Sequence, residues 1–243
     1  MILLPAIDIL DGKAVRLARG DFAEKTVYDA DPLDAASRWV DAGARGLHVV
    51  DLDGARAGEP VNLDHLERIT SRLSVPVQAG GGLRSGAAVQ AALRAGATRV
   101  ILGTAAFRDV EFLDEVIAEH GDRVVVSVDA RNGRLATSGW TEQTDIPVAT
   151  VIQRLSDRGV RRFVYSSIER DGMLAGPDLE GVSEAAGEVH GTLVYSGGVA
   201  SLADLEALAE LRQVNLTGVI VGKALYEGRL EVREAQALLD RRR

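Results

Sequence analysis

Short apolar runs rich in Val, Ile and Leu recur along the chain, separated by longer stretches of helical periodicity. The runs cover residues 2–8, 46–52, 75–80, 99–104, 124–130, 162–168, 192–198 and 218–224. Most are continuously apolar rather than alternating, as parallel strands covered on both faces are. Between them Leu63, Leu66, Ile69 and Leu73 form one stripe of a helix, and Leu113, Val116, Ile117 and His120 another. Val148, Val151, Ile152 and Leu155 repeat the pattern, as do Leu202, Leu205 and Leu208. Asp31 before Pro32, Ser85, Asp109 and Ser201 are expected to cap helices, and Gly43, Gly96 and Gly159 to end them in left-handed turns. Eight strands and about eight helices in strict alternation predict an α/β fold, a (β/α)8 barrel rather than an open sheet.

The chain also repeats itself. Asp8 and Asp129, ending the first and fifth runs, lie 121 residues apart. Asp53-Gly54 and Asp171-Gly172 follow the second and sixth runs at an offset of 118. Gly81-Gly82-Leu83-Arg84-Ser85 is echoed by Gly197-Gly198-Val199-Ala200-Ser201 at 116, and Val100-Ile101-Leu102-Gly103-Thr104 by Val219-Ile220-Val221-Gly222-Lys223 at 119. Matched pairs in one order predict two (β/α)4 half-barrel repeats, about 1–121 and 122–243, closing a single TIM-barrel domain.

Composition narrows the chemistry. With 28 basic and 36 acidic residues the net charge is −8, which argues against a nucleic-acid partner. No apolar run approaches the roughly 20 residues a membrane helix needs, and the first residues lack the basic segment of a signal peptide. The absence of cysteine excludes disulfides, thiolate metal sites and a cysteine nucleophile. His48, His65, His120 and His190 are scattered, so no metal is expected. Aromatic residues make up only 4%, which predicts an aliphatic core. The expectation is a cytoplasmic monomer.

In a (β/α)8 barrel the chemistry sits where strands end. Asp8 and Asp129 end opposite strands, and two opposed carboxylates suit an acid at one atom and a base at another. A lone aspartate there would instead cap a helix or pair with Arg16 or Arg131. Gly81, Gly82, Gly103 and Thr104 in one half mirror Gly197, Gly198, Gly222 and Lys223 in the other. Glycines let backbone amides close on phosphate oxygens, and helices starting near Ser85 and Ser201 add the positive ends of their dipoles. Two such sites predict a ligand with two phosphates. His48 either touches that ligand or is a hydrogen-bonded core residue, and Ser166 and Ser167 either orient the ligand or pack. Asn132-Gly133 predicts a hairpin turn that carries Trp140 over the fifth strand, where an indole suits stacking on a flat ring. Residues 16–25, long, polar and containing Gly20, read as a lid loop.

These residues resemble a family, the phosphoribosylformimino-aminoimidazole-carboxamide ribotide isomerases of histidine biosynthesis. The likeness runs through Leu4-Pro5-Ala6-Ile7-Asp8, Gly12-Lys13-Ala14-Val15-Arg16, His48-Val49-Val50-Asp51-Leu52 and Gly80-Gly81-Gly82-Leu83-Arg84. It continues through Val128-Asp129, Ile168-Glu169-Arg170-Asp171-Gly172, Ser196-Gly197-Gly198 and Ile220-Val221-Gly222-Lys223-Ala224. The resemblance implies a cofactor-free Amadori rearrangement of an aminoaldose carrying two ribose phosphates. It implies Asp129 as general acid and Asp8 as general base. Ser166 stands where the family often has Thr near the ring oxygen. The implied substrate contacts are Arg16, Gly20, His48, Gly81, Gly82, Arg84, Gly103, Thr104 and Trp140 in one group. Asp171, Gly172, Gly197, Gly198, Gly222 and Lys223 complete the set.

The sister cyclase barrel typically reads Pro-Cys-Leu-Asp at the first strand and has Lys at the position of Arg16, so this chain departs from it. Bifunctional isomerases that also act on phosphoribosylanthranilate usually have an Arg two residues before the loop Trp and Ser-Gly-Gly after strand three. Here Ser138 precedes Gly139-Trp140, and Gly80 precedes Gly81-Gly82. Both departures favour the single activity, with the dual one as the alternative. A non-catalytic phosphosugar scaffold would lack Asp8 or Asp129, and both are present.

Overall fold

In the computed structural model eight parallel strands form the wall of a barrel. They are β1 (Ile2–Leu10), β2 (Leu47–Asp51), β3 (Val77–Gly80), β4 (Arg99–Leu102), β5 (Val124–Arg131), β6 (Arg162–Ser167), β7 (Thr192–Ser196) and β8 (Leu216–Val221). Each pairs with the next, β8 pairs with β1, and β5 pairs with β6 across the midpoint of the chain, so the ring closes. The structure describes residues 1–137 and 139–241. Ser138, which bears on the comparison with bifunctional isomerases, and Arg242 and Arg243 lie outside the described residues.

A helix of nine to eleven residues follows each strand, from Pro32–Asp41 after β1 to Val232–Arg241 after β8. The predicted caps are in place. Asp31 accepts from Leu33 N, Ser85 from Ala88 N, Asp109 from Phe112 N and Ser201 from Asp204 N. Gly43, Gly96 and Gly159 adopt φ of 101°, 91° and 101°, a region L side chains avoid.

Strand alternation decides what faces the substrate. Leu3, Ile7 and Ile9 point outward into the large apolar cluster between wall and helices. Leu4, Ala6, Ile101, Val125, Val164 and Ile220 form a smaller cluster filling the barrel. Side chains two residues further along a strand share a face. Asp8 therefore follows Ala6 inward, Ser127 and Asp129 follow Val125, Ser166 follows Val164, and Gly222 follows Ile220. One periodicity thus builds both the inner core and the chemistry above it.

Two features differ from expectation. The stretch read as a lid loop is an antiparallel hairpin, Lys13–Ala18 and Asp21–Asp29, which pairs back onto β1. Its turn residues Arg19 and Gly20 have φ of 51° and 74°, and the preceding turn, Asp11-Gly12, has 53° and 70°. Both central residues at positive φ make the tight turn that joins twisted antiparallel strands. The expected Asn132-Gly133 turn has nearly the same angles, 50° and 69°, and leads into Arg134–Thr137 against β5. The two half-barrels thus carry matching hairpins. The core is also less purely aliphatic than expected: Tyr165 and Tyr195 are fully buried. Their hydroxyls are satisfied at Asp178, where Tyr165 Oη donates to Oδ2 at 2.7 Å and Tyr195 Oη accepts from the backbone N–H at 2.7 Å.

Candidate active site

Asp8 ends its inward row beside β2 and the first hairpin, in register with Val50 and Val15. Arg16, on that hairpin, reaches back with Nη1 2.8 Å from Asp8 Oδ2, and its Nη2 lies 3.6 Å from Asp171 Oδ1. All three side chains are largely removed from water. Burial pushes the Asp8 carboxyl up to about 6; the Arg16 charge opposes this and the Asp171 charge adds to it. Desolvation therefore outweighs the ion pair, leaving a carboxylate basic enough to take a proton near neutral pH. Burial also raises Asp171, against the pull of Arg16.

Asp129 lies on β5, four strands from β1 in the closed ring and so across the mouth from Asp8. Its partners are donors rather than a cation. Ser127 Oγ donates to Oδ1 at 2.8 Å and Trp140 Nε1 to Oδ2 at 2.8 Å. Ser166, paired with Asp129 in the β5–β6 register, also bonds to its side chain. Burial raises the Asp129 pKa although these hydrogen bonds lower it. Arg131, weighed as an ion-pair partner, instead donates to the Trp140 carbonyl at 3.1 Å. The two aspartates thus occupy different surroundings, one cation-paired and one held by neutral donors. Ser127 is a site residue the sequence reading missed; its place two residues before Asp129 on one strand was the available signal.

The second half gathers glycines at its strand ends. Gly197 and Gly198 take φ of 116° and 78°, nearly those of Gly81 and Gly82 at 105° and 75°. Gly197, Gly198, Gly222 and Lys223 line a small cleft together with Arg16, Asp171, Gly172 and Ser196. A Cβ on Gly222 would stand 2.4 Å from Arg16 Cζ, so the bare glycine is what lets the guanidinium lie over this strand end. Arg16 Nε is buried and has no hydrogen-bond acceptor among the described residues, leaving a donor for a ligand. Lys223 Nζ donates to the Gly172 carbonyl at 3.1 Å, tying the loop after β6 to the start of the last βα turn. The Asp204 carboxylate already accepts from Ala200 N and Ser201 N at 2.8 and 3.0 Å, which uses those amides within the chain.

In the first half, a Cβ on Gly103 would meet nothing within 4 Å, so that strand end is open. Thr104 starts the short helix Ala105–Arg108 beside it. Gly81 and Gly82 instead press against the backbone of Asp51 and Glu59. Arg84 is exposed and donates to the Ala55 carbonyl at 2.9 Å, bracing the turn after β2. His48 faces inward, its Nδ1 2.9 Å from Gln78 Nε2, and burial followed by the Arg16 charge pushes its pKa down to about 3. It is therefore a neutral ring held by Gln78, another residue the sequence reading did not single out.

The two hairpins meet above the barrel. A Cβ on Gly20 would lie 2.5 Å from Trp140 Cε3, so the first hairpin's tip rests against the indole that reaches Asp129. Arg19 N donates to the Asp171 carbonyl at 3.3 Å, and Gly172 packs against the Leu17 carbonyl.

An eight-stranded barrel with its buried ionisable side chains gathered at the carboxyl ends of the strands has the architecture of the (β/α)8 enzymes. A family model described as "Histidine biosynthesis protein" matches residues 2–231. The chain belongs to that family. It is 49% identical over 239 residues, 98% of each chain, to a protein of Xanthobacter autotrophicus named 1-(5-phosphoribosyl)-5-((5-phosphoribosylamino)methylideneamino) imidazole-4-carboxamide isomerase. Proteins of the same name from Azorhizobium caulinodans and Marinobacter nauticus are 47% and 44% identical. The alignments cover 98% of this chain and 98% of the first, and 99% of this chain and 98% of the second.

Proposed function

We propose that the chain is an aldose–ketose isomerase of histidine biosynthesis, acting on the bisphosphorylated aminoaldose that its relatives' name describes. The observation that carries this reading is the pair of inward aspartates on opposite strands, one beside a cation and the other held by neutral donors. An internal rearrangement needs one acid and one base and no redox partner, so two such carboxylates suffice.

In the first step Asp129 gives its proton to the furanose ring oxygen. The C1–O bond breaks as the amine lone pair forms the C=N bond of a protonated Schiff base. Ser166, beside Asp129, helps place the ring oxygen. Asp8 then removes the proton from C2; the C–H electrons become the C1=C2 bond of an enolamine while the C=N electrons return to nitrogen. Transfer of a proton to C1 and loss of the enol proton give the aminoketose. Atoms and electrons are conserved throughout, and no cofactor enters. Arg16 holds Asp8 in line and, with the glycine-lined cavity, binds one phosphate. The open turn at Gly103 and Thr104 receives the other. Trp140 stacks on the imidazole once it leaves Asp129.

The same reading has the enzyme working as a monomer in the cytoplasm, on a small molecule rather than nucleic acid or membrane. No helix among the described residues is long and apolar enough to cross a membrane. Steady-state turnover of the aminoaldose by the purified protein tests the proposal, with Asp8→Asn and Asp129→Asn as controls that keep the fold. Full activity in either variant would sink the assignment of roles. Turnover of phosphoribosylanthranilate, assayed alongside, would replace the single activity with the dual one.

A further inference from the structure

The end of the barrel opposite the mouth carries its own cluster of charge. Arg99 begins β4 two residues before Ile101, and Arg162 begins β6 two residues before Val164. Ile101 and Val164 both belong to the cluster inside the barrel, so strand alternation turns both arginines into the opening at the strands' amino ends. Arg162 is engaged: Nε donates to the Asp122 carbonyl at 2.8 Å, Nη2 to Asp122 Oδ2 at 3.3 Å and Nη1 to Thr192 Oγ1 at 3.3 Å. Arg123, close by, is tied to the Thr98 and Ala97 carbonyls. The Arg99 side chain has no hydrogen bond or ion pair among the described residues, although the residue is half-buried. Burial and the Arg162 charge both disfavour its cationic form, and Asp122 relieves this only in part. The Asp122 carboxylate is mostly in water, its side chain 75% exposed, so it screens the two cations weakly.

We propose that Arg99 and Arg162 form a second anion site at the amino end of the barrel, one that grips a phosphate-type oxyanion. Arg162 keeps two N–H donors beyond its bonds to Asp122 and Thr192, and the Arg99 guanidinium keeps all of its own, so the pair can serve more acceptor oxygens than a single carboxylate carries, which a tetrahedral dianion offers. Such an anion also removes the repulsion between the two arginines. Inorganic phosphate and the terminal phosphate of a small phosphomonoester share this chemistry.

The side-chain Nε–H signals of Arg99 and Arg162 in the 15N-labelled protein report on the site directly. Each is assigned by its loss in the Arg99→Lys or Arg162→Lys variant. Titration with inorganic phosphate, and separately with ribose 5-phosphate, is run against chloride at equal ionic strength. Both signals are expected to shift and saturate with phosphate, and the source that saturates first is the better ligand. In Arg99→Met the Arg162 shift is expected to fall by about five-fold or more, with isomerase turnover unchanged. Asp122→Asn, which keeps the backbone carbonyl that holds Arg162, is expected to lower the midpoint. Signals that move no further in phosphate than in chloride would mean an adventitious ion only. That result, or a midpoint unchanged or raised in Asp122→Asn, overturns the proposal.

Discussion

Trp140 Nε1 donates to Asp129 Oδ2 at 2.8 Å while Ser127 Oγ occupies the other carboxylate oxygen. Both bonds favour the ionised form of a group whose burial favours the neutral one. A planar ring that draws the indole away removes one donor and favours the proton on Asp129. On the proposed roles, binding and acid strength are thereby coupled. In Trp140→Phe the lost donor is expected to raise the Asp129 pKa, so the acid stays protonated to higher pH. The basic limb of the kcat/KM profile should then move upward by up to about one unit, with a higher KM from lost stacking. A basic limb that stays in place would remove the coupling.

Gly20 tests the meeting of the hairpins. It holds φ +74° and leaves no room for a Cβ against the indole. Gly20→Ala forces either the turn or Trp140 to move, at a backbone cost of about 1–2 kcal/mol. We expect turnover to fall about ten-fold or more while the melting temperature drops by only a few degrees. A variant with normal kcat and KM would show that the hairpin tip has no part in the reaction.

Asp8, raised to about 6, can serve as the proposed base only above that pH, so the acid limb of kcat/KM is expected near pH 6. Arg16 pulls this value down. Arg16→Gln should therefore let it rise and move the limb to higher pH, and Gly222→Ala, by displacing the guanidinium, should move it less in the same direction. The pH profiles of the two variants decide the matter. An acid limb shifted downward in either would contradict the pairing.

What the chain discloses in advance is its periodic part. Continuous apolar runs, cap residues and matched Asp and Gly positions mark the barrel and its twofold repeat, because each rests on local chemistry with a fixed spacing. In sequence the Arg16 hairpin reads as a loop, because charged, exposed strand residues such as Asp21, Glu24 and Lys25 carry no apolar alternation. The Asp11-Gly12 turn was the signal that could have shown it. Partners fixed by strand face and register are harder to foresee. Ser127 on Asp129 needs the strand's inward face, and Gln78 on His48 needs the β2–β3 register. The Asp204 carboxylate on the amides before its own helix is legible in Ser201-Leu202-Ala203-Asp204 as a capping pattern.

His48 offers a measurement of stability rather than rate. Burial, then the Arg16 charge, pushes its pKa to about 3 in the folded protein, while the unfolded chain carries it near the ordinary 6.5. Between these values the unfolded state binds more protons, so the stability this group contributes is present above about pH 6.5 and is lost as pH falls toward 3. From about pH 7 to about pH 4.5 the loss should be roughly 2–3 kcal/mol. Asp8 acts oppositely, because its raised pKa makes the folded state the better proton acceptor between about 4 and 6. The His48 contribution is therefore read as a difference between proteins. His48→Asn, uncharged at every pH, should show a smaller decline in unfolding free energy over that range than the unsubstituted protein in urea titrations. An equal or steeper decline would mean that the histidine beneath the mouth is not held neutral by its burial.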